Sequence, residues 1–144
     1  MGRRLFSGFL LNLLSVLLPP AALAATLEVE IVGLASDKGD VHIALYDNPP
    51  AFPKSDGMLS ETQIIPSGRK AKTVFDGLKP GRYAIAVYHD ENGNHEFDQG
   101  IFGIPLEDYG FSNDAAVFLG PPSFGDAAFD VAEPGTTIKI NLGN

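Results

Sequence analysis

The chain of 144 residues contains no cysteine. That absence excludes disulfide cross-links, thiol catalysis and zinc–thiolate sites, together with a lipoprotein anchor, which needs a cysteine at its cleavage point. Between Tyr83 and Ile138 there is also no lysine or arginine, although the stretch carries Asp90, Glu91, Glu96, Asp98, Glu107, Asp108, Asp114, Asp126, Asp130 and Glu133. A surface of that sign argues against nucleic acid, whose phosphates require Lys and Arg. Nucleophile elbows, phosphate-cradling glycine loops and His-Glu-x-x-His zinc helices are missing as well. So are internal repeats and long amphipathic helices.

One long hydrophobic run is present, at the N-terminus. Arg3 and Arg4 form a positive n-region, Leu5 to Leu18 an apolar h-region, and Ala22-Leu23-Ala24 a small-x-small cleavage site. The run is interrupted by Ser7, Gly8, Asn12 and Ser15 and ends at Pro19-Pro20, which is short for about 20 residues of bilayer core. Residues 1–24 therefore read as a signal peptide, and the mature chain as periplasmic or secreted with no membrane span after cleavage. Cleavage leaves 120 of the 144 residues, residues 25–144, the size of one domain able to bury a core without staples.

Strand signals dominate that domain. Leu27, Val29 and Ile31 alternate with Glu28 and Glu30, and Ser36 to Asp40 reads as a turn into Val41 to Tyr46, so the two segments are expected to form a hairpin. Asn48 to Ser60 is an excursion with a short helical turn expected near Met58 to Thr62. Strands are expected at Arg69 to Phe75, Tyr83 to Tyr88, Ala127 to Val131 and Thr137 to Leu142, with a long irregular stretch over Gly100 to Phe124. Short strands between Gly/Pro turns predict an all-β fold, an antiparallel Ig-like or transthyretin-like sandwich with a long irregular insertion.

Asp90 to Asp98 carries the chemistry. Asp90, Asn92 and Asn94 occupy positions 1, 3 and 5 of a calcium loop, Glu96 offers its carbonyl at position 7, and Asp98 ligates at position 9. Such alternation of oxygen donors is how a backbone wraps a hard cation. Position 6 is His95 instead of the glycine of the sharp turn, and position 12 is Ile101 instead of a bidentate Glu, so this is no EF-hand. Glu107 or Asp108 would complete the coordination. The acids of Tyr83 to Ile138 support a cation, because the rest of the mature chain balances eight acids with eight bases and clustered carboxylates repel. Asp, Asn and Gly are equally what an exposed turn uses.

Two other chemistries compete. His89 and His95 beside carboxylates are a zinc or copper reading, which the excess of oxygen donors disfavours relative to calcium. His89 with Asp90 is an acid/base pair only if both leave strand geometry, since neighbours on a strand point to opposite faces. Tyr109 and Phe111, in a Gly-containing segment, are core aromatics or part of a ligand-recognition loop.

Phe75-Asp76-Gly77-Leu78-Lys79-Pro80-Gly81-Arg82-Tyr83-Ala84 resembles the strand-turn-strand signature of transthyretin-like and carboxypeptidase-regulatory-like modules. The run Tyr83 to Asn94, followed by Phe102-Gly103-Ile104-Pro105, Tyr109-Gly110-Phe111-Ser112-Asn113 and Pro121-Pro122-Ser123-Phe124, is similar to an uncharacterised bacterial envelope family, domain of unknown function 2141. This likeness spans nearly the whole mature chain; His95 departs from it, standing where the family usually carries glycine. It implies export and a β-sandwich, and implies no activity.

The sequence therefore points to an exported, non-catalytic binding or accessory module, stabilised by calcium at Asp90, Asn92, Asn94, Glu96 and Asp98, that serves an envelope partner or a small ligand. The alternative is a small periplasmic hydrolase using the acidic loop. Mass spectrometry of the exported protein should give a mature N-terminus at Ala25; a species retaining Met1 or Arg3 would remove the basis for export.

Overall fold

The computed structural model describes residues 24–143, so the expected signal peptide lies, except for its last residue, outside the described residues. Eight strands are described: β1 (Ala25–Val32), β2 (Asp40–Tyr46), β3 (Ser60–Ile64), β4 (Lys70–Leu78), β5 (Gly81–Asp90), β6 (Tyr109–Phe111), β7 (Phe129–Val131) and β8 (Gly135–Asn141). One short helix, α1 (Phe124–Ala127), precedes β7. The strands make two sheets. One has the order β4-β1-β8; the other runs β3-β2-β5-β6, with β7 also pairing β5. The protein is all-β and sandwich-like, and antiparallel throughout except where β8 lies parallel to β1.

The alternation read in β1 places Leu27, Val29 and Ile31 fully inside, against Ile43, Leu45, Ile85 and Ile140 in the layer between the sheets. Each such side chain contributes roughly 1.5–3 kcal/mol by leaving water. The intervening Glu28 and Glu30 face outward, where Lys72 and Lys139 lie across from them as ion pairs. Phe75 and Tyr83, on either side of the Leu78-Lys79-Pro80-Gly81 turn, both enter this core.

Three expectations need correction. β1 and β2 do not form a hairpin: β1 pairs β4 and β8, whereas β2 pairs β3 and β5 in the other sheet. The turn signal was sound, but a turn does not say whether the chain returns in the same sheet or crosses to the facing one. The helical turn expected near Met58 to Thr62 is the strand β3, and the 3-10 turns fall earlier, at Pro49–Ala51 and Ser55–Gly57. The stretch read as irregular contains β6, an edge strand of three residues paired with Ala86, Val87 and Tyr88.

β2 and β5 are covered on both faces, unlike β1. Their outer face carries a second cluster of Ala44, Tyr46, Phe52, Ala84, Phe111, Phe124, Ala127 and Ala128. Edge-on ring contacts at 5.1 to 5.9 Å join Phe52 to Tyr46, Phe111 and Phe124. Between the short partners β6 and β7, the amide of Ile85 would lack a ladder partner. The buried Ser112 hydroxyl accepts from it at 2.8 Å and donates to the Ala127 carbonyl at 2.5 Å, tying α1 to the sheet. No helix among the described residues is long and apolar enough to cross a membrane.

The turn before β2 packs on the end of β5. Gly39 has φ +64°, and a Cβ there would sit 1.7 Å from the Asp90 carbonyl oxygen. Backbone cannot withdraw as a flexible side chain can, so Gly39→Ala should cost about 3 kcal/mol or more. Urea denaturation measures this; a loss below about 1 kcal/mol would mean that the turn is not held against β5.

Candidate metal centre

β5 delivers the site because its residues alternate. Tyr83, Ile85, Val87 and His89 point into the main core, and Ala84, Ala86, Tyr88 and Asp90 point to the outer face. Asp90 is the last residue of the strand and is completely buried. Its Oδ1 accepts from the Gly93 amide at 2.7 Å and the Asn94 amide at 3.2 Å, and its Oδ2 from the His95 amide at 2.7 Å. Burial alone would push this carboxyl up, but the three N–H donors outweigh it and hold the group below the usual carboxylate range. Position 6 makes the sharp turn although it is not glycine, since His95 takes φ +62°.

The loop then closes on itself. Asn92 Oδ1 accepts from the Asn94 amide at 3.0 Å, and Asn94 Oδ1 from the Glu96 amide at 2.9 Å. Both side-chain amides donate into Asp98, from Asn92 at 2.6 Å and from Asn94 at 3.0 and 3.1 Å. Between Asp98 and Glu107 the chain doubles back: Gln99 bridges Pro105, Leu106 N–H donates to the Asp98 carbonyl at 3.0 Å, and the tip turns at Ile101–Gly103. This excursion returns Glu107 beneath Asp98, whose amide donates to Glu107 Oε2 at 3.1 Å. Glu107 Oε1 is buried without a hydrogen bond. Burial first, then the adjacent charges of Asp90 and Asp98, raise the Glu107 carboxyl.

The four side chains expected at the site, those of Asp90, Asn92, Asn94 and Asp98, lie on this one loop frame, and Glu107 stands beside it. Glu96 is exposed, and its backbone joins the loop through its N–H, which donates to Asn94 Oδ1, and not through the carbonyl expected as a ligand. Phe97 anchors the loop, lying 5.4 Å from Tyr88 and 5.6 Å from Tyr109 between ring centroids. Tyr109 touches Phe111 in turn, so both pack against the outer cluster, Phe111 buried within it and Tyr109 half-buried at its edge.

His89 is fully buried on the opposite face from Asp90, with its Nε2 2.8 Å from the Lys38 carbonyl. It meets neither His95 nor the loop carboxylates, so the nitrogen pair read as His89 and His95 is replaced by His42 and His95. Strand pairing sets Asp40 opposite Asp90 and His42 opposite Tyr88. Asp40, His42, Asp90 and His95 consequently present one ligand atom each, all within 4.8 Å of one another. No local signal marked Asp40 and His42, which lie some fifty residues upstream; only the β2–β5 register brings them here.

A β-sandwich whose central strand ends in a buried carboxylate under an oxygen-rich loop is the class that fold and site define. The chain belongs to a bacterial family described as "Uncharacterized protein conserved in bacteria (DUF2141)", which matches residues 29–139. Neither the curated proteins nor the solved structures hold a match to it.

Opposite pH responses follow from the two carboxyls. Asp90, lowered in the folded state, adds stability that is present above its unfolded value near 3.9 and lost as pH falls through its folded value. Glu107, raised, costs stability once ionised, and this cost disappears as pH falls through its folded value toward about 4.3. In chelator-treated protein, Glu107→Gln should raise Tm by a few degrees at pH 7 and leave it unchanged below about pH 4. A lower Tm at pH 7 would contradict this sign.

Proposed function

We propose that the chain is an exported, calcium-stabilised β-sandwich acting as a non-catalytic binding or accessory module of the bacterial envelope, for a protein partner or a small ligand. The observation that supports the calcium is that Asn92 and Asn94 both reach Asp98, while Glu107, bonded to the Asp98 amide and raised by the charges of Asp90 and Asp98, keeps one buried carboxylate oxygen without a donor. All these donors are oxygens, which suits a hard cation. Asn92 and Asn94 each keep an oxygen lone pair beyond the N–H they accept, and their amides stand where a cation would otherwise neutralise Asp98. Glu107 takes the role that a bidentate Glu has at position 12 of an EF-hand, reached through a folded excursion in place of a helix.

The export reading rests on residues 1–24, and the transthyretin-like kinship on the Phe75 to Ala84 segment. A binding role is supported by what surrounds the loop. An open groove of about 600 Å³ beside Glu107 is bordered by Asp108, Tyr109, Asp114 and Asn141. Phe102, Phe118 and Leu119 are almost wholly exposed on loops, an arrangement that costs a free protein solubility and serves a contact surface. The acidic stretch acts in recognition or solubility. The acid/base pair that the hydrolase reading would use, His89 with Asp90, is split between the two faces of β5, with His89 sealed on the far side.

Asp98 is the informative position to remove, because Asp90 also holds the loop backbone and its loss would disturb the fold by itself. Calcium at about a hundredfold excess over Kd should stabilise stripped wild-type protein by about 2.7 kcal/mol, and chelator should reverse it. Asp98→Ala should lose most of that response. Superimposable melting curves with calcium and with chelator in the wild type would end the calcium reading.

A further inference from the structure

We propose a second metal site, for a borderline divalent transition-metal ion of the zinc or copper kind, built from His42 and Asp40 of β2, Asp90 of β5 and His95 of the loop. It is independent of the calcium reading except that Asp90 borders both. The deciding residue is His42. It is 97% buried, and its Nδ1 lies 3.0 Å from Glu61 Oε1 on β3. A carboxylate only accepts, so Nδ1 carries a proton, and in the neutral imidazole Nε2 presents its lone pair. That nitrogen faces Asp40 Oδ1 at 3.2 Å and Asp90 Oδ2 at 3.9 Å, yet neither Nε2 nor Asp40 Oδ1 makes a hydrogen bond. In the neutral imidazole, Nε2 and Asp40 Oδ1 are two buried acceptors without a donor beside Asp90 Oδ2, whose one donor is the His95 amide, and a cation among them resolves this.

The fourth ligand comes from the strained residue of the loop. His95 Nδ1 lies 3.7 Å from Asp40 Oδ2 and 4.0 Å from Asp90 Oδ2, and its ring centroid is 5.8 Å from that of His42. In a tetrahedral site with bonds of about 2.0–2.1 Å, neighbouring ligand atoms stand about 3.3 Å apart. The histidine–carboxylate separations of 3.2 to 4.0 Å, within a group whose four ligand atoms all lie within 4.8 Å, close by an inward movement available chiefly to His95, which is 61% exposed. Two imidazole nitrogens with two carboxylate oxygens match zinc or copper and not calcium or magnesium. Glu61 behind His42 supplies the carboxylate–histidine–metal relay that orients such ligands, and Tyr88, stacked on the His42 ring at 4.5 Å, holds its plane. Asp90 Oδ1 accepts from the loop amides of Gly93 and Asn94, whereas Oδ2 accepts from the His95 amide and also faces this cluster, so the two sites abut at Asp90 without sharing their remaining ligands.

Isothermal titration of chelator-stripped protein with zinc and, separately, with copper tests the site. One equivalent of at least one of these ions should bind to the wild type. His42→Ala should abolish that binding; because His42 is buried, His95→Gly provides a second variant that keeps the left-handed turn and removes one nitrogen, and it should weaken binding at least tenfold. Glu61→Gln should weaken it 10- to 100-fold. Asp98→Ala should leave it unchanged while removing the calcium response, which separates failure of this proposal from failure of the calcium reading. A cobalt(II) complex with intense tetrahedral visible bands, lost in His95→Gly, would identify the geometry. Absence of binding by both ions in the wild type, or binding indifferent to His95→Gly and Glu61→Gln, would overturn the proposal.

Discussion

The buried carboxylate of Asp90 is the constraint around which this end of the molecule is organised. A carboxylate removed from water is costly unless hydrogen-bonded, and here the backbone N–H groups of Gly93, Asn94 and His95 meet that requirement. The loop therefore curls back over the strand that feeds it. His95 is drawn into a left-handed conformation because its amide must reach Oδ2, and with that turn made, Asn92, Asn94 and Asp98 face one another. Deprived of that one acceptor, the loop would be an ordinary exposed acidic turn.

Burial of Asp90 depends on the unusual position of β5. It pairs β2 on one side and both β6 and β7 on the other, and its outer face is roofed by a second hydrophobic cluster. A ring sequence joins that roof to the loop: Phe52 contacts Phe111, Phe111 contacts Tyr109, Tyr109 contacts Phe97, and Phe97 contacts Tyr88, which stacks on His42. Aromatic pairs of this kind contribute about 0.5–1.5 kcal/mol each beyond their area. They fix the loop to the sheet by packing, so its geometry does not rest on hydrogen bonds in exposed positions alone.

Electrostatics then divides the region into two halves. On the loop side Asp90 is held by backbone N–H groups and lies near Glu107, which is raised by burial and by the charges of Asp90 and Asp98. On the β2 side it looks toward two imidazoles and Asp40. Hard and borderline donor sets meet at one carboxylate, which is why a single description of the cluster as acidic is incomplete.

Much of this was legible in the residues. The alternation of Leu27, Val29 and Ile31, the strand leading to Asp90, the oxygen periodicity from Asp90 to Asp98 and the candidacy of Glu107 all follow from local pattern, because strand period and loop spacing are properties of neighbouring residues. The sheet partners were not legible. A turn between β1 and β2 reads the same whether the chain folds back or crosses to the other layer, and β6 is too short for a periodic signal. The sequence by itself determined an all-β chain with an oxygen-rich loop after a central strand. Tertiary structure alone decided that Asp40 sits opposite Asp90, that His42 and not His89 lies beside His95, and that Glu107 closes beneath Asp98. Those pairings depend on register between segments far apart in the chain, where one residue of slip would turn every side chain to the other face.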